Sequence, residues 1–267
     1  GSRRWLSVGS LSFQPSELAK PAVILFLSGI ISKKEKNGSS LWSLIWCIIL
    51  VLPIVALVGT NNLSTAVIIL GIAVILAFVS RPGYAQFLWI GLSGTGFVTI
   101  FLSMEQYRLE RLEIWKNPEI HEKGFQTIQG LYAIGSGGLF GTGLGNGIQK
   151  LGFVPEAQND MIFSIVCEET GFVGAILLLL LFLLLIWRLM AIAVHAKDRL
   201  GAFIAAGIMG HIAIQVILNV AVVTNSIPNT GITLPFISYG GTSSLFLLAE
   251  MGLALSVSRW QNRRSGI

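Results

Sequence analysis

The chain has 267 residues, of which 53% are hydrophobic and 12% charged, with a formal net charge of +5. Soluble domains carry about twice that share of charge, and several apolar runs reach the about 20 residues needed to cross a bilayer, so a soluble globular domain is excluded. The positive balance does not call for nucleic acid, because Lys and Arg of membrane proteins collect in cytoplasmic loops, and the isolated Cys47 and Cys167 read as small core residues.

The first apolar segment runs from about Pro15 to Ser32 and opens with "FQPSELAK". Pro15 suits the first helical position, and Glu17 complements the dipole in the first turn. Glu17 and Lys20 are three apart and can pair on one face. Lys20 also precedes Pro21 and an apolar run, which puts it near the membrane boundary and within reach of an anionic lipid headgroup. Segments at about 41–59, 63–80 and 85–103 follow.

A long stretch, about 104–160, then mixes acids and bases with Tyr107, Trp115, Phe125, Leu131 and Tyr132. Loops of that length are functional or disordered, and the interspersed apolar residues favour an ordered, functional one. Within it, "GSGGLFGTGLGNGIQK" (135–150) is read as lying outside the membrane. Its backbone N–H groups can cradle phosphate, or it is a flexible link. Lys150 adds a charge that an anionic substrate can use.

The run "VPEAQNDMIFSIVCEETG" (154–171) leads into the fifth segment, about 161–187. On a helix opening near Asp160, Glu168 lies about 80° round and about 12 Å deeper, with Glu169 on the face opposite Asp160. Paired carboxylates of sugar chemistry sit about 5–9.5 Å apart, so these acids do not form one compact dyad. Asp160 is either a first-turn acid complementing the helix dipole or a general base at the mouth of a membrane cavity, with burial raising its pKa. Glu168 and Glu169 are functional candidates as intramembrane acids, or structural groups paired with a base or with backbone at a broken helix.

Segments at about 202–227 and 242–258 complete the set, and "IPNTGITLPFISYGGTSS" (227–244) breaks the chain between them. Irregular backbone at membrane depth requires a protein or water-filled neighbour, so about 228–241 is a candidate re-entrant stretch. His121, His195 and His211 show no metal-ligand spacing.

Lys33, Lys34 and Lys36, then Arg81, then Arg188, Lys197 and Arg199, then Arg259, Arg263 and Arg264 follow alternate segments. Each falls on one side, the cytoplasmic one. The expected fold is an all-α polytopic membrane bundle of about seven segments, one integral membrane domain over 1–267. Its working face is extracytoplasmic, and an odd number of segments is expected ahead of Gly1.

"RRWLSVGSLSFQPSELAK", "YRLERLEIWKNP", "GSGGLFGTGLGNGIQKLGFVPEAQNDMIFSIVCEETG" and "TGITLPFISYGGTSS" together resemble the SEDS family of FtsW, RodA and SpoVE, in the same order. The resemblance implies about ten transmembrane helices, of which the first three would precede Gly1. It also implies a peptidoglycan glycosyltransferase in the bacterial cytoplasmic (inner) membrane. Such a protein polymerises lipid II into a growing glycan strand, with a class B penicillin-binding protein as transpeptidase partner.

The family's essential aspartate falls on Asp160, its Glu and Lys on Glu17 and Lys20, its paired acids on Glu168 and Glu169, and its last motif on Ser238 to Ser243, with Gly240 and Gly241. Lys20, Arg4, Lys150 or a divalent cation, magnesium or manganese with ligands unassigned, would meet the charge on the lipid diphosphate. Asn62 stands where many relatives carry an acid, so any role of that acid is in doubt here. The "QKLGFVPEAQND" run is nearer the division and sporulation branches than the elongation branch. Two other readings stay open: a lipid II flippase using Glu168, Glu169 and Glu250 as relay groups, and a non-catalytic scaffold for the penicillin-binding protein.

Overall fold

The computed structural model describes residues 6–8, 11–35, 41–80 and 106–263. Apart from a two-stranded hairpin, β1 (Leu6–Val8) against β2 (Leu11–Phe13), the described chain is helical. The helices are α1 (Pro15–Glu35), α2 (Leu41–Asn61), α3 (Leu63–Ser80), α4 (Gln106–Lys116), α5 (Phe125–Gly137), α6 (Ile162–His195), α7 (Arg199–Val223) and α8 (Gly241–Arg263). Among the described residues five helices, α1, α3, α6, α7 and α8, are long and apolar enough to cross a membrane, and α2 holds a shorter apolar stretch, Ile49–Thr60. The segment expected at 85–103 lies outside the described residues.

Two boundaries differ from the sequence expectation. α6 continues to His195 because Leu189–Val194 are apolar helix formers, and the break comes only at Asp198, whose carboxylate accepts from Gly201 N at 3.2 Å as the cap of α7. α7 stops at Val223 rather than near 227. Asn225 turns left-handed (φ 54°), with Ser226 N donating to Ala221 O at 2.8 Å and Asn225 N to Val222 O at 2.9 Å. That pairing is the Schellman ending, with Asn in place of the usual Gly.

Contacts group the chain into two compact units: residues 1–83, 183–214 and 240–267, and residues 84–182 and 215–239. They are not consecutive domains, because the boundaries fall inside α6 and α7. In the first unit α1 packs on α2, α3 and α8. α7 comes close through glycines: a Cβ on Gly207 would sit 2.7 Å from Ile24, and one on Gly210 2.8 Å from Ile75. Lipid is as apolar as leucine, so close backbone approach at small residues, not hydrophobic burial, holds such helices together. His211 and Glu250 form a buried pair across α7 and α8, Nδ1 to Oε2 2.8 Å.

The second unit is organised by a break in α6. Gly171 has φ 67° and ψ −169°, a region reserved for glycine. Broken backbone inside a span must find partners within the protein. The loop after α5 supplies them: Thr142 N and Gly143 N donate to Glu168 O and Glu169 O at 2.9 and 3.0 Å, while Phe172 N and Val173 N donate to Gly138 O and Leu139 O at 2.9 and 3.1 Å. The seam is tight, since a Cβ on Gly171 would lie 2.3 Å from Gly141 N.

Gly171→Ala is therefore expected to cost at least about 1–3 kcal/mol from backbone strain alone, lowering the thermal midpoint of the detergent-purified protein. Gly29→Ala, with open space around it in α1, should leave the midpoint unchanged or raise it.

Candidate functional site

Asp160 does not open a helix. The chain from Pro155 to Met161 is a series of turns, with Glu156 left-handed (φ 55°) and Asn159 N on Glu156 O at 2.9 Å, and α6 begins at Ile162. The turn is held from several sides. Asn219 of α7, fully buried, donates its amide to Asp160 O at 2.8 Å and to Ile232 O at 2.7 Å. Ser238 donates to Asn159 O at 2.6 Å and accepts from Leu234 N at 2.7 Å, and Tyr239 N donates to Gln158 O at 2.8 Å.

The Asp160 side chain, 7% exposed, meets only neutral donors among the described residues. Gln126 of α5 reaches its two carboxylate oxygens at 3.3 and 3.5 Å and Pro155 O at 3.3 Å. The Gln126 amide is oriented by Asn229, which donates to its oxygen at 3.1 Å; Asn229 in turn accepts from Gly231 N at 3.0 Å, and its backbone oxygen from Arg111 at 3.1 Å. Burial, reinforced by the nearby Glu156 carboxylate and partly offset by backbone and Gln126 hydrogen bonds, pushes the Asp160 carboxyl up to about 6. A cavity of 540 Å³ opens beside the turn, walled by Lys150, Val154, Glu156, Gln158, Ile162 and others. Asp160 is not in that wall; only its sequence neighbours are.

The glycine-rich loop is neither a flexible link nor an open phosphate cradle. It pairs with residues 168–173, near the start of the helix that is long and apolar enough to cross a membrane. The anions it cradles are the protein's own. Glu168 accepts from Ile148 N and Gln149 N at 2.8 and 3.2 Å, and Glu169 from Gly145 N at 3.1 Å and Lys150 Nζ at 2.5 Å. Adjacent glutamates both reach the loop because it wraps the helix at its break. Lys150, also on Gly145 O at 2.9 Å, is thus engaged rather than a spare charge. Asp160, Glu168 and Glu169 have separate partners.

The other expected residues fall as follows. In the first unit, Glu17 and Lys20 form a buried ion pair at 2.9 Å, Lys20 being 2% exposed. Gly240, Gly241 and Ser243 belong to that unit too, at the start of α8. Ser238 belongs to the second unit and clamps the Asp160 turn. Arg4 lies outside the described residues. Asn62 caps α3, its Oδ1 accepting from Thr65 N at 3.2 Å. Among the described residues no three His, Cys, Asp or Glu side chains gather to hold a metal, so the divalent cation gains no protein ligand set.

Gln126, Asn219 and Asn229 escaped the sequence reading. The signal for one was present: His211, Gln215 and Asn219 recur every four residues along an otherwise apolar α7, a polar stripe that must find partners. Gln215 finds Thr233 O at 3.0 Å.

The model of the FtsW, RodA and SpoVE cell cycle proteins matches residues 1–263. The chain belongs to that family. Stage V sporulation protein E of Bacillus subtilis is 45% identical over 97% of this chain and 72% of its own length. A probable peptidoglycan glycosyltransferase FtsW of Geobacter sp. (strain M18) is 36% identical over 97% of this chain and 71% of its own. Among solved structures, a chain from a peptidoglycan synthase complex that coordinates polymerization and crosslinking superposes with a TM-score of 0.81 at 29% identity, covering 98% of this chain and 74% of that one. The rod shape determining protein RodA of Thermus thermophilus gives 0.68 at 30% identity, over 98% and 71%. The family membership makes this a multi-pass membrane protein.

Within this family member, Glu168 holds the loop. Glu168→Leu leaves two N–H groups unpaired and should lower stability by about 1–3 kcal/mol; Glu168→Gln, which keeps an acceptor oxygen, should recover part of the loss in the same thermal melt.

Proposed function

We propose that this chain is a peptidoglycan glycosyltransferase that polymerises lipid II into glycan strands, with Asp160 as its general base. The observation that carries the reading is a buried carboxylate, raised to about 6 and faced by neutral donors, on a turn just ahead of a membrane span. A base works best with a pKa near the operating pH, and at pH 7 this one is still mostly ionised.

In the reaction, Asp160 takes the proton of the acceptor sugar hydroxyl as that oxygen attacks the anomeric carbon of the donor. The bond from that carbon to the lipid diphosphate breaks, its electron pair leaving on the diphosphate. Direct displacement inverts the anomeric centre. The developing phosphate charge needs cations; within the second unit Lys150, held in its ion pair with Glu169, is the assigned source. The site faces the extracytoplasmic side of the bacterial inner membrane, and a class B penicillin-binding protein is the crosslinking partner. The flippase reading loses two of its relay groups, since Glu168 and Glu169 are tied to the loop.

Purified full-length Asp160→Asn should polymerise lipid II at least about 10²-fold more slowly, read on glycan gels; an unchanged rate would overturn Asp160 as the base. The wild-type rate should fall as pH drops through about 6, because the protonated acid accepts no proton. Gln126→Leu removes a donor to the charged form and should move that acid limb to higher pH.

A further inference from the structure

The glycine-rich loop carries a second message. Residues 170–187 of α6 hold no charged side chain, with Glu169 at one end and Arg188 at the other. At about 1.5 Å per residue they span about 27 Å, close to the about 30 Å of a hydrocarbon core. Glu169 therefore marks the outer edge of the hydrocarbon. The loop is spliced into α6 at that level, through the four backbone hydrogen bonds that join 138–143 to Glu168, Glu169, Phe172 and Val173.

What the loop turns outward is apolar. Phe140 is 80% exposed and Leu144 81%, with Leu139 and Ile148 exposed as well. From Gly138 to Gln149 the sequence has no charge. Phe172 and Val173, bonded to Gly138 and Leu139, are exposed on the adjoining face of the span. The surface is thus continuous with a helix face that lipid must cover, and water against it would be costly.

We propose that residues 138–149 are seated in the outer leaflet, with Leu139, Phe140, Leu144 and Ile148 among the upper acyl chains. The loop anchors the Asp160 turn at headgroup level. The inference stands apart from the catalytic reading and survives its failure.

The test uses full-length protein with Cys47 and Cys167 replaced by Ala and a single bimane-labelled cysteine at Phe140→Cys or Leu144→Cys, with Ile120→Cys, at a site 79% exposed, as the aqueous control. All three substitutions are at the surface, and an unchanged thermal midpoint verifies folding. In phosphatidylethanolamine–phosphatidylglycerol vesicles, the Phe140 and Leu144 probes should be quenched by iodide at least threefold less than the Ile120 probe, and by a shallow doxyl lipid at least threefold more. Iodide quenching equal to that at Ile120 overturns the proposal. Shielding that appears only when a partner protein is added overturns it too, and assigns the surface to a protein interface.

Discussion

A transmembrane helix broken at Gly171 is the constraint on which the second unit depends. Hydrocarbon offers no partner to an orphaned amide or carbonyl, so the chain brings its own from the loop after α5. The consequences run outward from that seam. Glu168 and Glu169 are drawn to the loop's N–H groups, Lys150 is drawn to Glu169, and the turns that follow deliver Asp160 to a place where Gln126 of α5 holds its side chain, Asn219 of α7 its backbone oxygen, and Ser238 that of the neighbouring Asn159.

The same constraint separates the acids by role. A buried carboxylate is tolerated when its charge is met, and most here are met firmly: Glu17 by Lys20, Glu169 by Lys150, Glu250 by His211, and Glu168 by two backbone amides. Asp160 differs. Its side-chain partner is one amide at 3.3 to 3.5 Å, which orients the carboxylate without neutralising it. Such a group is stable enough to persist and basic enough to take a proton, as the proposed role in sugar transfer requires. Gln126 and Asn229 tie that orientation to Arg111, so distant surface elements bear on the position of the carboxylate.

Much of the fold was legible in the sequence because a bilayer imposes a crude rule. Apolar runs of the right length mark spans, and α1, α3, α6, α7 and α8 fall where those runs lie. The ordered nature of the 106–160 region could be read from Trp115, whose indole bonds Asn225 O at 2.9 Å. The loop around Gly141 could not be placed. Glycine content signals permissive backbone but not which helix break it fills, and Gly171 is one of two glycines in α6. Helical periodicity counted from Asp160 does not reach Glu168 and Glu169 either, because the helix opens only at Ile162, and both glutamates meet the loop because it wraps around them. Asp160 was found by its resemblance to a family motif, whereas its supports, Gln126 and Asn229, sit far away in sequence and carry no local pattern.

The account rests on Asp160 being a buried carboxylate that still ionises near physiological pH. Infrared difference spectra of the full-length protein across an acid titration, wild type minus Asp160→Asn, read that group directly. A protonated-carboxyl band with a midpoint near 6, absent from the variant, is the expected result. A midpoint near the ordinary aspartate value of about 3.9 would mean a solvated side chain, and would contradict the assignment of this residue as the base.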